Sequence, residues 1–163
     1  MTPPGDYVRA VLWDMDGTLM NSQPLWDESF RRRCEQRGGS VTDEQVVSIA
    51  GASIARTCEI IAATGATDSP HDPATTELFA LIAADVANAV RTEPPIVPGA
   101  PRITSMLAEI GLAQVIVTQS PRRIVESVAH ALGDVFVELV TGDDGLPGKP
   151  APAPYATAIE LLD

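Results

Sequence analysis

The sequence predicts an α/β protein: a parallel sheet whose first and second strands are separated by a block of helices. Three observations carry this. Short apolar runs at 7–13, 114–118 and 135–140 alternate, from residue 100 onward, with helix-length segments, the pattern of strand–helix–strand units. Between 24 and 92 the chain offers only helical patterns. A stiff tether, Glu93-Pro94-Pro95-Ile96-Val97-Pro98-Gly99, then divides that block from the rest of the chain. A length of 163 residues leaves room for one ordinary domain, or for one domain with a smaller insert. The expected division is a discontinuous core at 1–20 and 96–163 with a helical insert at 21–95.

Each element has its own signal. Tyr7 to Trp13 is apolar and β-branched, and a turn at Asp16-Gly17-Thr18 comes after it, so it reads as a strand. Pro24 opens a helix expected from Leu25 to about Arg37, which Gly38-Gly39 stops. Thr42 to Ile49 and Ser53 to Ala63 read as helices. So does Pro73 to about Arg91, with Glu77 near its start and an Ala- and Leu-rich body. Past the tether, Ala100 to Ile110 reads as a helix and Gln114 to Thr118 as a strand. Pro121 to Leu132 reads as a helix, Val135 to Val140 as a strand, and a last helix starts near Pro152.

Composition excludes several functions. Apolar residues make up 45% of the chain, enough for a packed core. Net charge is −11, so nucleic-acid phosphates and anionic membranes are poor partners. A small anionic substrate is still allowed, because a bound cation inverts the local field. No apolar run nears the length of a membrane span, and MTPPGDYVRA lacks the form of a secretory signal, so a cytoplasmic setting is expected. Cys34 and Cys58 cannot build a disulfide framework, and His71 and His130 lie too far off in sequence to make a zinc site with them.

The sharpest chemical feature is Trp13-Asp14-Met15-Asp16-Gly17-Thr18-Leu19. Residues two apart on a strand share a face, so Asp14 and Asp16 converge at the carboxyl end of the first strand, where open α/β sheets bind ligands. Two carboxylates this close repel unless one is protonated or a cation lies between them, and magnesium suits such hard oxygen donors. The same residues also suit a capped turn, since Asp-Gly is common in turns.

The DMDGTL segment resembles the first motif of the haloacid dehalogenase superfamily. Val115-Ile116-Val117-Thr118 is similar to its second motif, a strand ending in Thr or Ser. Gly148-Lys149-Pro150-Ala151-Pro152 is similar to its third, a lysine just before a helix. The helical insert resembles the family's small cap. The resemblance covers almost the whole chain and implies a Rossmann-like parallel sheet with an inserted helical cap.

It also implies roles. Asp14 would be the nucleophile that forms an aspartyl-phosphate and would bind Mg²⁺. Asp16 would be the general acid and then the general base, with its backbone carbonyl on the metal. Thr118 would donate a hydrogen bond to the transferring phosphoryl group, and Lys149 would neutralise its charge. Gln119 joins Thr118 and Lys149 in the expected substrate contacts. An acid at Asp16 favours phosphoryl transfer over dehalogenation, since a leaving halide needs no proton.

The resemblance is closest to the phosphatase and β-phosphoglucomutase branch, with a small phosphorylated metabolite of sugar or polyol type as partner. Some positions depart from it. Asn21-Ser22-Gln23-Pro24 replaces a frequent Asp-Ser-Glu-Pro. The loop Gly51-Ala52-Ser53-Ile54 has no arginine, where sugar-phosphate mutases present one, which favours a phosphatase over a mutase. Ala153 stands where Asp or Glu is frequent, which weakens a helix cap.

Lesser signals have plain expectations. Gly148-Lys149 fails the P-loop pattern, because Gly142 is misplaced and Pro150 replaces Ser or Thr. Asp143 and Asp144 read as solvated loop acids, Arg31-Arg32-Arg33 as a polar helix face, and His71 and His130 as unpartnered surface residues. Trp26 either packs the first helix of the insert or touches substrate. The segments outside the insert amount to about 88 residues, at roughly 30 per strand-plus-helix unit, which gives about three strands. The family's sheet has at least five, with the first strand central. The resemblance therefore implies a fourth, acidic motif after Asp163, and residues 1–163 alone are expected to bind Mg²⁺ weakly, to show negligible turnover and to be poorly stable as a monomer. A catalytically incomplete member with a binding role is the alternative.

Overall fold

The computed structural model describes residues 8–162. Tyr7, expected to begin the first strand, and Asp163 lie outside the described residues. Three strands form one sheet in the order β1 (Ala10–Trp13), β2 (Ala113–Val117), β3 (Glu138–Val140), and both pairings are parallel. Trp13 stands opposite Ile116, and Val117 opposite Val140, so the carboxyl ends of all three strands line up. Among the described residues β1 pairs with β2 alone and forms one edge of the sheet.

Parallel strands need crossovers, and helices supply them on both faces. Val115, Ile116 and Val117 are fully buried, which explains why QVIVT carries no polar alternation. On one face Ile116 packs with Trp13 and with Ile124, Val125 and Val128 of α6 (Arg122–Ala131). On the other, Leu12, Val115, Val117 and Val140 meet Ala158 of α7 (Ala153–Glu160). A fully buried aliphatic side chain contributes about 1.5–3 kcal/mol, so these few side chains fix the sheet's sidedness. α5 (Ala100–Glu109) flanks β2, and the fully buried Gln114 ties them by donating to the Thr104 carbonyl at 2.8 Å.

The insert consists of α1 (Gln23–Gln36), α2 (Asp43–Ser48), α3 (Ile54–Ala63) and α4 (Pro73–Thr92). Its own core holds Phe30, Cys34, Val46, Ile60, Ile61, Leu78 and Ile82. Thr42 and Gln45 form a capping box at α2, Ser53 caps α3, and Asp72 caps α4 through the Ala74 amide at 2.8 Å. The arginine triplet is not merely a solvated face. Arg31 pairs with Asp43 at 2.9 Å, and Arg32 and Arg33 both grip Asp85 of α4, at 2.8 and 2.7 Å. The two tethers pair with each other: the Asn21 amide donates to Pro95 O and the Val97 amide to Leu19 O, at 2.8 and 2.9 Å.

Two expectations need correction. The third strand covers only Glu138–Val140, because only these residues lie opposite Val115–Val117. Upstream, Asp134 at φ 52° turns the chain out of α6, and Phe136 packs sideways into the core. His130 is not unpartnered: its Nδ1 lies 3.0 Å from Asp134. Among the described residues, no helix is long and apolar enough to cross a membrane.

Candidate active site

The site lies at the carboxyl ends of the strands, beneath the insert. Asp14 and Asp16 leave β1 with the fully buried Met15 between them, its side chain in the sheet–α6 core. The turn after them needs Gly17. Its φ is +82°, and no atom lies within 4 Å of where a Cβ would sit, so the backbone conformation alone demands glycine. The turn closes when the Gly17 amide donates to Met20 O at 2.7 Å. Leu19 and Met20, both fully buried, anchor it.

Lys149 reaches the same point from the loop before α7. Its Nζ donates to Asp14 Oδ1 at 2.5 Å and to the Val117 carbonyl at 2.8 Å. The Tyr155 ring lies 5.2 Å from it. Among the described residues the second oxygen of Asp14 accepts only a long bond from the Thr18 hydroxyl, at 3.3 Å, and the side chain is 43% exposed. Lys149 is the one lysine of the whole sequence, a count that would have singled it out without any motif.

Asp16 sits among hydroxyls. Ser22 donates to its Oδ1 at 2.5 Å, and Thr118 and Ser120 donate to its Oδ2 at 3.0 and 2.8 Å. The Ser120 amide in turn donates to the Thr118 hydroxyl at 3.1 Å. Thr118 therefore bonds Asp16 rather than Asp14 or Lys149. Ser22 and Ser120 carry no signal in the sequence, because serine has no periodic pattern and Ser120 lies 104 residues from Asp16. Gln119 holds a junction. A Cβ on Gly148 would lie 2.5 Å from the Gln119 Oε1 and 2.9 Å from the Ser53 Cβ, and one on Gly142 would strike the Gln119 carbonyl. Two glycines thus let the loops after β2 and β3 press against the tip of α3.

Asp143 and Asp144 do not join the site. Asp143 accepts the Arg122 amide at 2.7 Å, and Asp144 binds the Arg122 guanidinium at 2.9 Å and the Thr141 amide at 2.8 Å. Burial would raise the Asp144 pKa, but the Thr141 amide and hydroxyl and Arg122 outweigh it and hold the carboxyl below its usual value. Among the described residues no three His, Cys, Asp or Glu side chains converge for a metal. The donors that fit a magnesium ion are the second Asp14 oxygen and the Asp16 carbonyl, which receives no hydrogen bond among the described residues. Two hard oxygens are within magnesium's needs, since it keeps several waters.

Between the strand ends and the insert lies a narrow cleft of about 40 Å³, bounded by Asp16, Gln119 and Ser120 below and by Gln23, Trp26 and Ile54 above. Trp26 packs within the insert, stacking on Phe79 with ring centres 6.5 Å apart and planes at 17°, and it also lines this cleft.

Comparison with known proteins adds ancestry to this geometry. A family model described as haloacid dehalogenase-like hydrolase matches residues 8–163. The chain is 31% identical over 157 residues to validoxylamine A 7'-phosphate phosphatase of Streptomyces hygroscopicus subsp. limoneus, covering 95% of this chain and 71% of that one. It is 27% identical over 161 residues to phosphoglycolate phosphatase of Rhodospirillum rubrum, covering 94% and 66%. The chain thus spans between 66% and 71% of the length of these curated relatives. Among solved structures it superposes on CbbY from Rhodobacter sphaeroides in complex with phosphate, with TM-score 0.78 and 20% identity over 96% of this chain and 73% of that one. That likeness concerns the fold. The family match runs through every element that carries Asp14, Thr118 and Lys149, and the chain belongs to the haloacid dehalogenase-like hydrolases.

Proposed function

We propose that this chain carries the phosphoryl-transfer core, residues 1–20 and 96–163, and the cap, residues 21–95, of a magnesium-dependent phosphatase. Its substrate is a small phosphate monoester of sugar or polyol type, and the reaction passes through an aspartyl-phosphate at Asp14. Two relatives that bear phosphatase names support phosphate-ester chemistry. The observation that carries the reading is the chain's one lysine at 2.5 Å from Asp14, with Asp16 two residues on.

Asp14 attacks phosphorus, and the bond to the leaving oxygen breaks as Asp16 gives that oxygen a proton. Asp16 then takes a proton from water. The water oxygen bonds to phosphorus, the Asp14–phosphorus bond breaks, and phosphate is released. Lys149 balances charge on Asp14 and on the phosphoryl oxygens. The hydroxyls of Ser22, Thr118 and Ser120 hold Asp16 in one orientation through both proton transfers. Magnesium, when bound by Asp14 and the Asp16 carbonyl, supplies positive charge against the phosphoryl oxygens.

A second reading, phosphate binding without turnover, is favoured by the lack of a third converging acid among the described residues. Hydrolysis of an aryl phosphate separates the two. In a protein able to bind the metal, turnover that a chelator stops and that Asp14→Asn abolishes is the expected result. Turnover that survives either change contradicts the phosphatase reading, and binding with no turnover supports the second reading.

A further inference from the structure

The cap cleft carries little charge. Its upper wall is Trp26, Ile49, Ile54 and Phe79, and its uncharged polar groups are Gln23, Thr57, Gln119 and Ser120. Among the described residues Asp16 is the single charged one in the lining, and it is negative. The guanidiniums closest in sequence to that lining are committed elsewhere. Arg31 pairs with Asp43 and Arg122 with Asp144, both at 2.9 Å, Arg32 and Arg33 hold Asp85, Arg56 pairs with Glu59 at 2.6 Å, and Arg123 donates to the Ala80 carbonyl at 3.0 Å. Lys149 faces Asp14, the phosphoryl side of the site.

Resting on the phosphoryl-transfer reading above, we infer that the leaving group this cleft accepts is an uncharged alcohol with an apolar face, and that the cleft selects against esters carrying a second anionic group. The apolar face lies on Trp26, which Phe79 backs by stacking and so holds in place. Gln23 and Gln119 offer amide donors and acceptors to a hydroxyl. Gln23 is itself steadied by a bond from its Nε2 to Asp27 at 2.5 Å. A carboxylate or second phosphate in the same place would lose water, meet no cation and face Asp16. The net charge of −11 adds a repulsive field on approach. Selection here comes from the missing cation as much as from the aromatic wall.

The test compares benzyl phosphate with phosphoglycolate and a hexose bisphosphate, as kcat/KM with Mg²⁺. Dissociation constants on the Asp14→Asn protein are read by calorimetry for the same esters. The expected ranking places benzyl phosphate at least about tenfold above both esters that carry a second anionic group, in rate and in binding. Ala52→Arg, which adds a cation to the lining, should narrow the gap to phosphoglycolate by about fivefold or more. Trp26→Ala should lower the benzyl phosphate value by about tenfold. Equal or reversed ranking, or an Ala52→Arg protein that is folded and unchanged in preference, overturns the inference. Loss of all turnover with the ranking kept in binding overturns the phosphatase reading and leaves this inference standing. No ester binding at all overturns the inference.

Discussion

Asp16 shows how far single residues were readable. Its place two residues after Asp14 follows from strand geometry, and so does its position at the sheet's carboxyl edge. Its three hydroxyl partners do not, because Ser22 sits in a tether and Ser120 lies 104 residues away. Ser22 is almost fully buried, so its hydroxyl cannot be replaced by water without rearrangement. Ser22→Ala should cost about 1–3 kcal/mol in urea unfolding, the usual penalty for orphaning a buried hydrogen-bonding group. It should lower kcat more than it raises KM, since it loosens the group that moves the proton. An unchanged kcat would remove Ser22 from the orienting set. Lys149 was singled out by its motif, and its Nζ lies 2.5 Å from Asp14.

At the scale of elements, helix boundaries were largely legible because Pro24, Gly38, Thr42 and Pro73 mark them locally. The third strand was not, since its length depends on what lies opposite it. Nor was the clamp between α1 and α4. Arg32, Arg33 and the Ser29 hydroxyl converge on Asp85, more than fifty residues away, and no local pattern announces it. The hydrogen bond from Arg33 is the main reason that Asp85 stays well below the usual carboxylate range, with burial opposing it. A depressed carboxylate contributes stability that is present above its unfolded value, about 4, and is lost as pH falls through its folded value. Asp85→Asn should therefore lower Tm at neutral pH, and the gap to the unaltered protein should shrink as pH falls below about 4. A gap independent of pH would show that the clamp acts through packing alone. Nearby, burial pushes the Cys34 thiol up to about 11, which keeps it protonated and unreactive.

For the whole molecule, the sequence made the parallel sheet and the inserted cap legible, because periodicity changes at the Pro-rich tether. The register of the two tethers and the cleft above Asp16 emerged only in three dimensions. That cleft is narrow, and entry of a sugar or polyol phosphate is expected to part cap and core. Two tethers zipped by backbone hydrogen bonds would give such a motion one axis. Structures with and without an inert phosphate analogue should differ in cap angle, and the same sealed placement in both would contradict a moving cap. The central claim is that Asp14 takes the phosphoryl group. The most direct measurement is to quench the protein during reaction with an aryl phosphate, reduce with borohydride, and map the product by peptide mass spectrometry. Homoserine is expected at position 14 and nowhere else, dependent on Mg²⁺ and absent from Asp14→Asn. Phosphate release with an unmodified Asp14 throughout, or a phosphoryl group trapped on another residue, would contradict it.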